Sequence, residues 1–189
     1  MASVITDQRY TPHDLLRLPD SKRFELVDGQ LVETEVSLLS SYIAGRLTEL
    51  LSAFVRAGAL GGVFNSDASF QCFVADPDLV RRPDASFIER ARLRPEHLRG
   101  HVPIAPALAI EVISPHDSFY DVQEKVEEYL AAGVKLVWVI NPEKKIVQVY
   151  RPDRTITQLA ADGELSGENV LVDFRCSIAE LLKPPPMGA

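Results

Sequence analysis

The segment "PALAIEVIS", residues 106–114, constrains the fold most, because its apolar residues run almost without interruption. Such a run is typical of a strand buried on both faces of a sheet. It contains one carboxylate, Glu111, and the strand-like segment "VRRPDASFIE", residues 80–89, contains a second, Asp84. A buried ionised carboxylate is costly unless a positive side chain, backbone N–H groups or a metal ion compensates it. The sequence therefore predicts a central sheet with two acids that require compensation.

Helical patterns stand on both sides of these strands in the chain. Apolar residues recur at helical spacing over residues 37–58, with Gly58 as a stop, and this pattern predicts the longest helix. A second helix is predicted over residues 118–134, with Asp117 or Ser118 as its cap. Shorter helices are predicted near Thr11, which can cap the helix that Pro12 begins, and over residues 177–183.

Further strand patterns surround these helices. The dipeptide Asp28-Gly29 is a strong two-residue hairpin signal, and "NPEK", residues 141–144, joins two more apolar strands. Other strands are predicted over residues 63–74, 155–160 and 169–174. The order of elements predicts a single α/β or α+β domain over residues 1–189, with a mixed sheet flanked by helices. Its core is expected over about 10–182, followed by a frayed tail at 184–189.

The bulk composition excludes some functions. The net charge of −7 and the isoelectric point of about 5.1 disfavour a non-specific DNA coat protein, although an enzyme that meets DNA locally remains compatible. No apolar run approaches the length of a membrane span, and the first residues do not resemble a signal peptide. Cys72 and Cys176 form no Cys-x-x-Cys pattern and are expected to be reduced thiols in a cytoplasmic protein.

Two acids on paired strands can converge on one hard cation. Magnesium takes one or two carboxylates and keeps several waters, whereas zinc would require His or Cys ligands. The alternative is that Asp84 and Glu111 are met by arginine or backbone donors. Lys125 falls at the boundary of its helix's apolar stripe, so it can face the site or be a solvated lysine. Glu25 alternates with apolar residues and can likewise be a solvent-facing strand acid.

The combination of motifs resembles the Uma-two endonuclease family of the restriction-endonuclease-like, PD-(D/E)XK superfamily. The stretches that carry the resemblance are Pro83-Asp84, Glu111-Val112-Ile113-Ser114-Pro115, Asp121 to Lys125 to Tyr129, and Gly133-Val134 to Trp138 to Pro142. The superfamily often has its lysine two residues after the second acid, where this chain has Ile113. The resembling family shares this departure, with its lysine on the following helix, as Lys125 is here.

This resemblance implies a restriction-endonuclease-like fold and magnesium- or manganese-dependent hydrolysis of DNA phosphodiester bonds. Asp84 and Glu111 would hold the ion with the Val112 carbonyl, and the ion would activate water. Lys125 would orient that water or neutralise charge growing on phosphorus. Glu25 would support the site or hold a second metal. A homodimer is expected by analogy with nucleases that act on two strands.

Arginine is concentrated around Asp84, with six of the twenty basic residues within 19 positions. They are Arg81, Arg82, Arg90, Arg92, Arg94 and Arg99. Arginine suits phosphate contacts, but an ordinary surface segment with ion pairs is an equal alternative. We expect no metal pair from His97 and His101, a solvent-exposed loop position for His116, and a core position for Trp138.

Two other functions stay open at this point. The chain can be a catalytically silent nuclease-fold protein that binds DNA or a protein partner, or a hydrolase of another phosphoester. Retention of Asp84, Glu111 and Lys125 favours the nuclease.

Overall fold

The computed structural model describes residues 8–34 and 36–188. Over these residues the elements follow in the order α1 (Pro12–Arg17), β1 (Phe24–Val27), β2 (Gln30–Glu33), α2 (Leu38–Ala57), β3 (Gly61–Asn65), β4 (Ala85–Glu89), β5 (Leu108–Val112), α3 (Phe119–Ala131), β6 (Leu136–Asn141), β7 (Ile146–Tyr150), β8 (Ile156–Leu159), β9 (Glu164–Ser166), β10 (Arg175–Ser177) and α4 (Ile178–Leu181). Short 3₁₀ turns occupy Ser21–Arg23 and Pro95–Leu98.

A six-stranded mixed sheet forms the centre of the fold. Its strand order is β3-β4-β5-β6-β7-β8, and β5 and β6 are parallel while the other neighbours are antiparallel. Two small antiparallel sheets, β1-β2 and β9-β10, lie outside it. The predicted mixed sheet flanked by helices is confirmed.

The two long helices pack on opposite faces of this sheet. On the face covered by α2, Leu47 belongs to the same core cluster as Leu108 and Ile110 of β5. On the face covered by α3, Val126 clusters with Ala109, the β5 residue between them. Side chains alternate along a strand, so Glu111 points to the same side as Ala109, toward α3. Strand β5 is buried over its whole length, as its apolar run predicts.

Local sequence signals explain where several elements begin. The Thr11 hydroxyl accepts from the Asp14 N–H, and Pro12 occupies the first helical position of α1. The predicted cap of α3 is Ser118 rather than Asp117, because the Ser118 side chain accepts from the Asp121 N–H. Asp28 and Gly29 have φ angles of 49° and 74°, as the tight hairpin between β1 and β2 requires.

The predicted strand at residues 63–74 is mostly wrong, and the strand at 80–89 is too long. Strand β3 ends at Asn65, and β4 begins only at Ala85. Between them, Phe70 forms isolated bridges with Arg81 and with Val102, and Val80 exchanges backbone hydrogen bonds with Leu26 of β1. Val80 and Arg81 therefore pair with β1 of the β1-β2 hairpin and with Phe70, and they do not extend β4.

The predicted strand at residues 169–174 is also wrong. The chain turns there, with the N–H groups of Val170 and Leu171 both donating to the Gly167 carbonyl. Leu171 and Phe174 are buried against the α2 core without strand pairing, which explains the apolar pattern.

Both cysteines are free thiols, as expected. No helix within residues 8–34 and 36–188 is long and apolar enough to cross a membrane. Residues 184–188 have no regular secondary structure. The expectations about targeting and about the end of the tail fall partly on residues 1–7 and 189, outside the described residues.

Candidate active site

A cleft of about 610 Å³ lies where the β1-β2 hairpin, the start of β4, the end of β5 and helix α3 meet. The five residues to which the family resemblance gives a catalytic or metal-binding role all line it: Glu25, Asp84, Glu111, Val112 and Lys125. They come from four separate segments of the chain, so the fold brings together residues that lie up to 100 positions apart.

Asp84 and Glu111 face each other across two neighbouring strands. The β4-β5 ladder pairs Ala85 with Ile110, and the next opposed positions are Asp84 and Glu111. Opposed residues of an antiparallel pair project to the same face of the sheet. The Val112 N–H donates to Asp84 Oδ2 over 2.7 Å, and the Tyr129 hydroxyl donates to Glu111 Oε1 over 2.7 Å.

Burial perturbs both carboxyl groups. It raises the pKa of Asp84 to about 6, although the Val112 N–H and the Lys125 charge oppose the rise. Burial also raises the pKa of Glu111 to about 8, with Lys125 opposing it and the charges of Asp84 and Glu25 adding to it. The protein donors therefore compensate these two acids only in part, and perturbed acids in a cleft are typical of functional sites.

Lys125 contacts two of the acids. Its Nζ atom lies 3.2 Å from Glu25 Oε2 and 3.6 Å from Glu111 Oε2. Burial acts to lower the pKa of Lys125, but Glu111 and Glu25 outweigh it and raise that pKa, so the side chain stays positive. The alternative of a solvated lysine at the helix edge is wrong.

Glu25 is 1% exposed, so the alternative of a solvent-facing strand acid is wrong as well. Its Oε1 accepts from the Arg82 backbone N–H over 2.8 Å, and its Oε2 accepts from Arg81 Nη1 over 3.1 Å and faces Lys125. Burial acts to raise the pKa of Glu25, but Lys125 and Arg81 lower it below its usual value. Both oxygens of this carboxylate are therefore engaged by protein donors.

Glu128 is a site residue that the sequence reasoning missed, and its partner Arg81 was named there only as one member of an arginine cluster. Arg81 is 4% exposed and binds Glu128 with two hydrogen bonds, of 2.6 Å from Nε and 2.9 Å from Nη2. Glu128 turns toward this buried guanidinium. Its position one helical turn after Lys125 was a usable signal, because both then lie near one edge of α3.

Two arginines of the cluster for which phosphate contacts and surface ion pairs were equal alternatives, Arg81 and Arg82, are buried. Arg82 is buried like Arg81, and it donates from Nε to the Phe24 carbonyl over 2.9 Å and from Nη1 to the Asp67 carbonyl over 2.8 Å. Both guanidinium groups therefore bind protein groups. The other four arginines of the cluster, Arg90, Arg92, Arg94 and Arg99, do not line the cleft.

The histidines and the tryptophan contribute differently. His101 bonds the Ser69 hydroxyl and the Pro12 carbonyl, at 2.7 and 2.9 Å, so both of its ring nitrogens contact protein groups. His116 lines the cleft beside Glu111's strand end. Trp138 is fully buried in the core, as expected.

The two central acids are carboxylates, which hard divalent cations take as ligands. In residues 8–34 and 36–188 no group of three or more His, Cys, Asp or Glu side chains is arranged to hold a metal ion. Asp84 Oδ1 has no hydrogen-bond or ion-pair partner among these residues, and Glu111 Oε2 is approached only by Lys125. An Asp84 oxygen without a partner among the described residues and a Glu111 oxygen that faces only Lys125 are compatible with a divalent ion that takes its remaining ligands from water and phosphate.

Comparisons with known proteins agree with this geometry. The sequence model of the family described as "Uma2: Putative restriction endonuclease" matches residues 12–179. A crystal structure of a "putative nuclease belonging to DUF820" from Anabaena variabilis superposes with a TM-score of 0.77, at 22% identity, over 91% of this chain and 97% of that one. No curated protein matches the sequence. The match over most of the chain confirms the family resemblance, and the superposition confirms the fold.

The raised pKa of Glu111 predicts a pH-dependent stability in metal-free buffer. Because the folded pKa lies near 8 and the usual value is 4.5, the folded state binds this proton more tightly. The contribution of Glu111 to stability should therefore be fully present below about pH 4.5 and be lost as pH rises through 8, by at most about 1.4 kcal/mol per pH unit. Glu111→Gln should remove this contribution.

Urea unfolding in EDTA measures the free energy of unfolding of both proteins from pH 5 to pH 9. The stability of Glu111→Gln relative to the parent should increase as pH rises. Glu143→Gln alters an exposed glutamate and is the matched control, whose curve should run parallel to the parent's. Parallel curves for Glu111→Gln would contradict the assignment of a raised pKa to this carboxyl.

Proposed function

Because this chain belongs to the Uma2 family, we propose that it is a divalent-metal-dependent endonuclease that hydrolyses DNA phosphodiester bonds. The observation that carries the proposal is the convergence of Asp84, Glu111 and Lys125 in one cleft, with both acids at raised pKa. The nuclease-like fold supports the coarser statement that the protein is a nuclease.

Asp84 and Glu111, with the Val112 carbonyl, would hold Mg²⁺ or Mn²⁺. When bound, the ion supplies Lewis-acid polarisation of a phosphoryl oxygen and a lowered pKa for the attacking water. The chain's own contribution is to hold two carboxylates on one face of the sheet. Tyr129 and the Val112 N–H each occupy one oxygen and thereby orient the other toward the cleft.

Lys125 would neutralise negative charge that grows on the phosphoryl group, or orient the water. Its ammonium group is fixed between Glu25 and Glu111, so little reorganisation is needed when charge develops. Glu25 is best assigned to holding Lys125. Its engaged oxygens favour this role over that of a second-metal ligand.

A catalytically silent protein that binds DNA or a protein partner is the second candidate. The excess of acids in the cleft disfavours its DNA-binding form, since a polyanion is repelled there without a cation, and leaves the form that binds a protein partner. The buried lysine beside two perturbed acids favours catalysis, because an evolved binding surface has no need of incompletely compensated charges. Hydrolysis of another phosphoester would use the same residues.

Cleavage of DNA tests the proposal directly. Plasmid and single-stranded DNA incubated with magnesium or manganese should be cut, and EDTA should abolish cutting. Asp84→Ala and Lys125→Met should each reduce the rate about 100-fold or more, since each removes a group that acts on the developing charge. Lys135→Met, which alters an exposed lysine outside the cleft, is the matched control and should cut like the parent. Metal-independent cutting, or cutting by Asp84→Ala, would contradict the proposal.

Thermal unfolding tests the metal site without relying on activity. Magnesium or manganese should raise the melting temperature of the parent, because an ion that binds only the folded state stabilises it, by about 2.7 kcal/mol at 100 times its dissociation constant. Asp84→Asn should lose this gain. In EDTA the variant should be as stable as the parent or more so, since it removes a charge whose pKa burial has raised. Metal-insensitive melting with a destabilised Asp84→Asn would support the structural alternative.

We also propose a homodimer, by analogy with nucleases that present two sites to two strands. Light scattering at micromolar concentration should give twice the mass of 20.9 kDa. A monomer throughout this range would contradict the dimer and leave the cleft assignments unaffected.

A further inference from the structure

The cleft contains two basic residues that the proposed chemistry does not use. Of the described residues that line it, eight are acidic and five are basic. Three of the basic residues, Arg81, Arg82 and Lys125, are buried or nearly so and bind protein groups. The other two, Lys22 and Arg23, have side chains that are 66% and 63% exposed.

Each of these exposed cations is paired with an exposed acid on the same cleft. Lys22 Nζ lies 2.6 Å from Asp67 Oδ2, and Arg23 Nη2 pairs with Glu33. The side chains of Asp67 and Glu33 are 53% and 49% exposed. Exposed pairs of this kind are worth about 0–1 kcal/mol, so a competing anion can exchange with the carboxylate.

These four exposed residues, Lys22, Arg23, Glu33 and Asp67, form a rim of the cleft. The backbone on two sides of this rim is bound by one buried residue. Arg82 donates to the carbonyl of Phe24, which follows Arg23, and to the carbonyl of Asp67. The backbone that carries the rim cations and the loop that carries Asp67 are therefore held in register from beneath. Only the exposed side chains need to move when an anion approaches.

We infer that Lys22 and Arg23 are the contacts for the backbone phosphates of the nucleic-acid substrate, and that phosphates displace Asp67 and Glu33 from them. The inference rests on the proposed function and extends it from the chemistry to substrate capture. The phosphates of a nucleic acid in this acid-rich cleft require positively charged partners. Among the described lining residues, Lys22 and Arg23 are the basic residues with exposed side chains. The rim acids then act as competitors that weaken binding.

This arrangement gives effects of opposite sign for the two members of each pair. Lys22→Gln and Arg23→Gln should weaken nucleic-acid binding several-fold. Each should also make the negative slope of log affinity against log salt shallower, by about 0.9 for a duplex and about 0.7 for a single strand. Asp67→Asn and Glu33→Gln should instead tighten binding, because the cation is freed and a repulsive charge is removed.

Fluorescence anisotropy with a labelled duplex and a single strand of equal length measures both quantities. All variants carry Asp84→Asn to prevent cutting, and titrations are made in EDTA and in magnesium over a series of salt concentrations. Two other ion pairs outside the cleft supply matched controls: Arg175→Gln with Glu164→Gln at an exposed pair, and Lys135→Gln with Glu89→Gln at a pair whose acid is half-buried. Each control changes the net charge by the same amount as the rim variant it matches. The difference between the two therefore excludes the general effect of net charge on binding.

The expected result is opposite shifts for the cations and acids of the rim, each larger than the matching control. Rim variants that behave like the controls, or weaker binding by Asp67→Asn, would overturn the inference and leave the proposed nuclease function standing. A parent that neither binds nor cuts nucleic acid would overturn both.

Discussion

The site depends on one buried carboxylate, that of Glu25, and on the three cationic or N–H donors around it. Removing one partner of a buried ion pair costs about 3–5 kcal/mol, because a charge is left without compensation. Here Glu25 accepts from Arg81 and from the Arg82 backbone, and it faces Lys125. These groups lie on β1, on the segment before β4, and on α3, so a single charge network fixes three segments of the cleft relative to one another.

That network also determines the geometry of the chemical centre. Lys125 is shared between Glu25 and Glu111, and Arg81 extends the chain of charges to Glu128 on the same helix. Helix α3 is therefore attached to the outer hairpin through ions and to the central sheet through its apolar face. A small displacement of the hairpin would move the lysine away from Glu111, although the hairpin contains neither of the proposed metal ligands.

The elements with strong local signals could be predicted from the sequence, and those set by long-range pairing could not. The caps at Thr11 and Ser118, the Asp28-Gly29 turn and the apolar β5 run each have a local physical cause. By contrast, the residues before Asp84 bridge to Phe70 and β1, a pairing between segments far apart in sequence that no local pattern specifies.

The same distinction applies to the site residues. Asp84, Glu111 and Lys125 were identified by motif, and their meeting in one cleft follows from the pairing of β4 with β5 and the packing of α3. The inward positions of Arg81 and Glu128 could not be predicted, because charged side chains are normally exposed to solvent. The buried Arg81 binds both Glu128 and Glu25, and this arrangement is visible only once the fold has brought the three residues together.

The acids that first suggested a function are compensated unequally. Glu25 receives enough donors to lower its pKa, whereas Asp84 and Glu111 receive one hydrogen bond each from the protein and keep raised pKa values. If compensation served stability alone, the available cations would be spread over all three carboxylates. Instead the 1% exposed Glu25 receives the Arg81 guanidinium, the Arg82 backbone N–H and the nearer approach of Lys125, and the two opposed acids remain incompletely satisfied at the cleft. A site that is locally unfavourable and supported by a well-satisfied network behind it is the arrangement expected when the missing charge is supplied by a ligand.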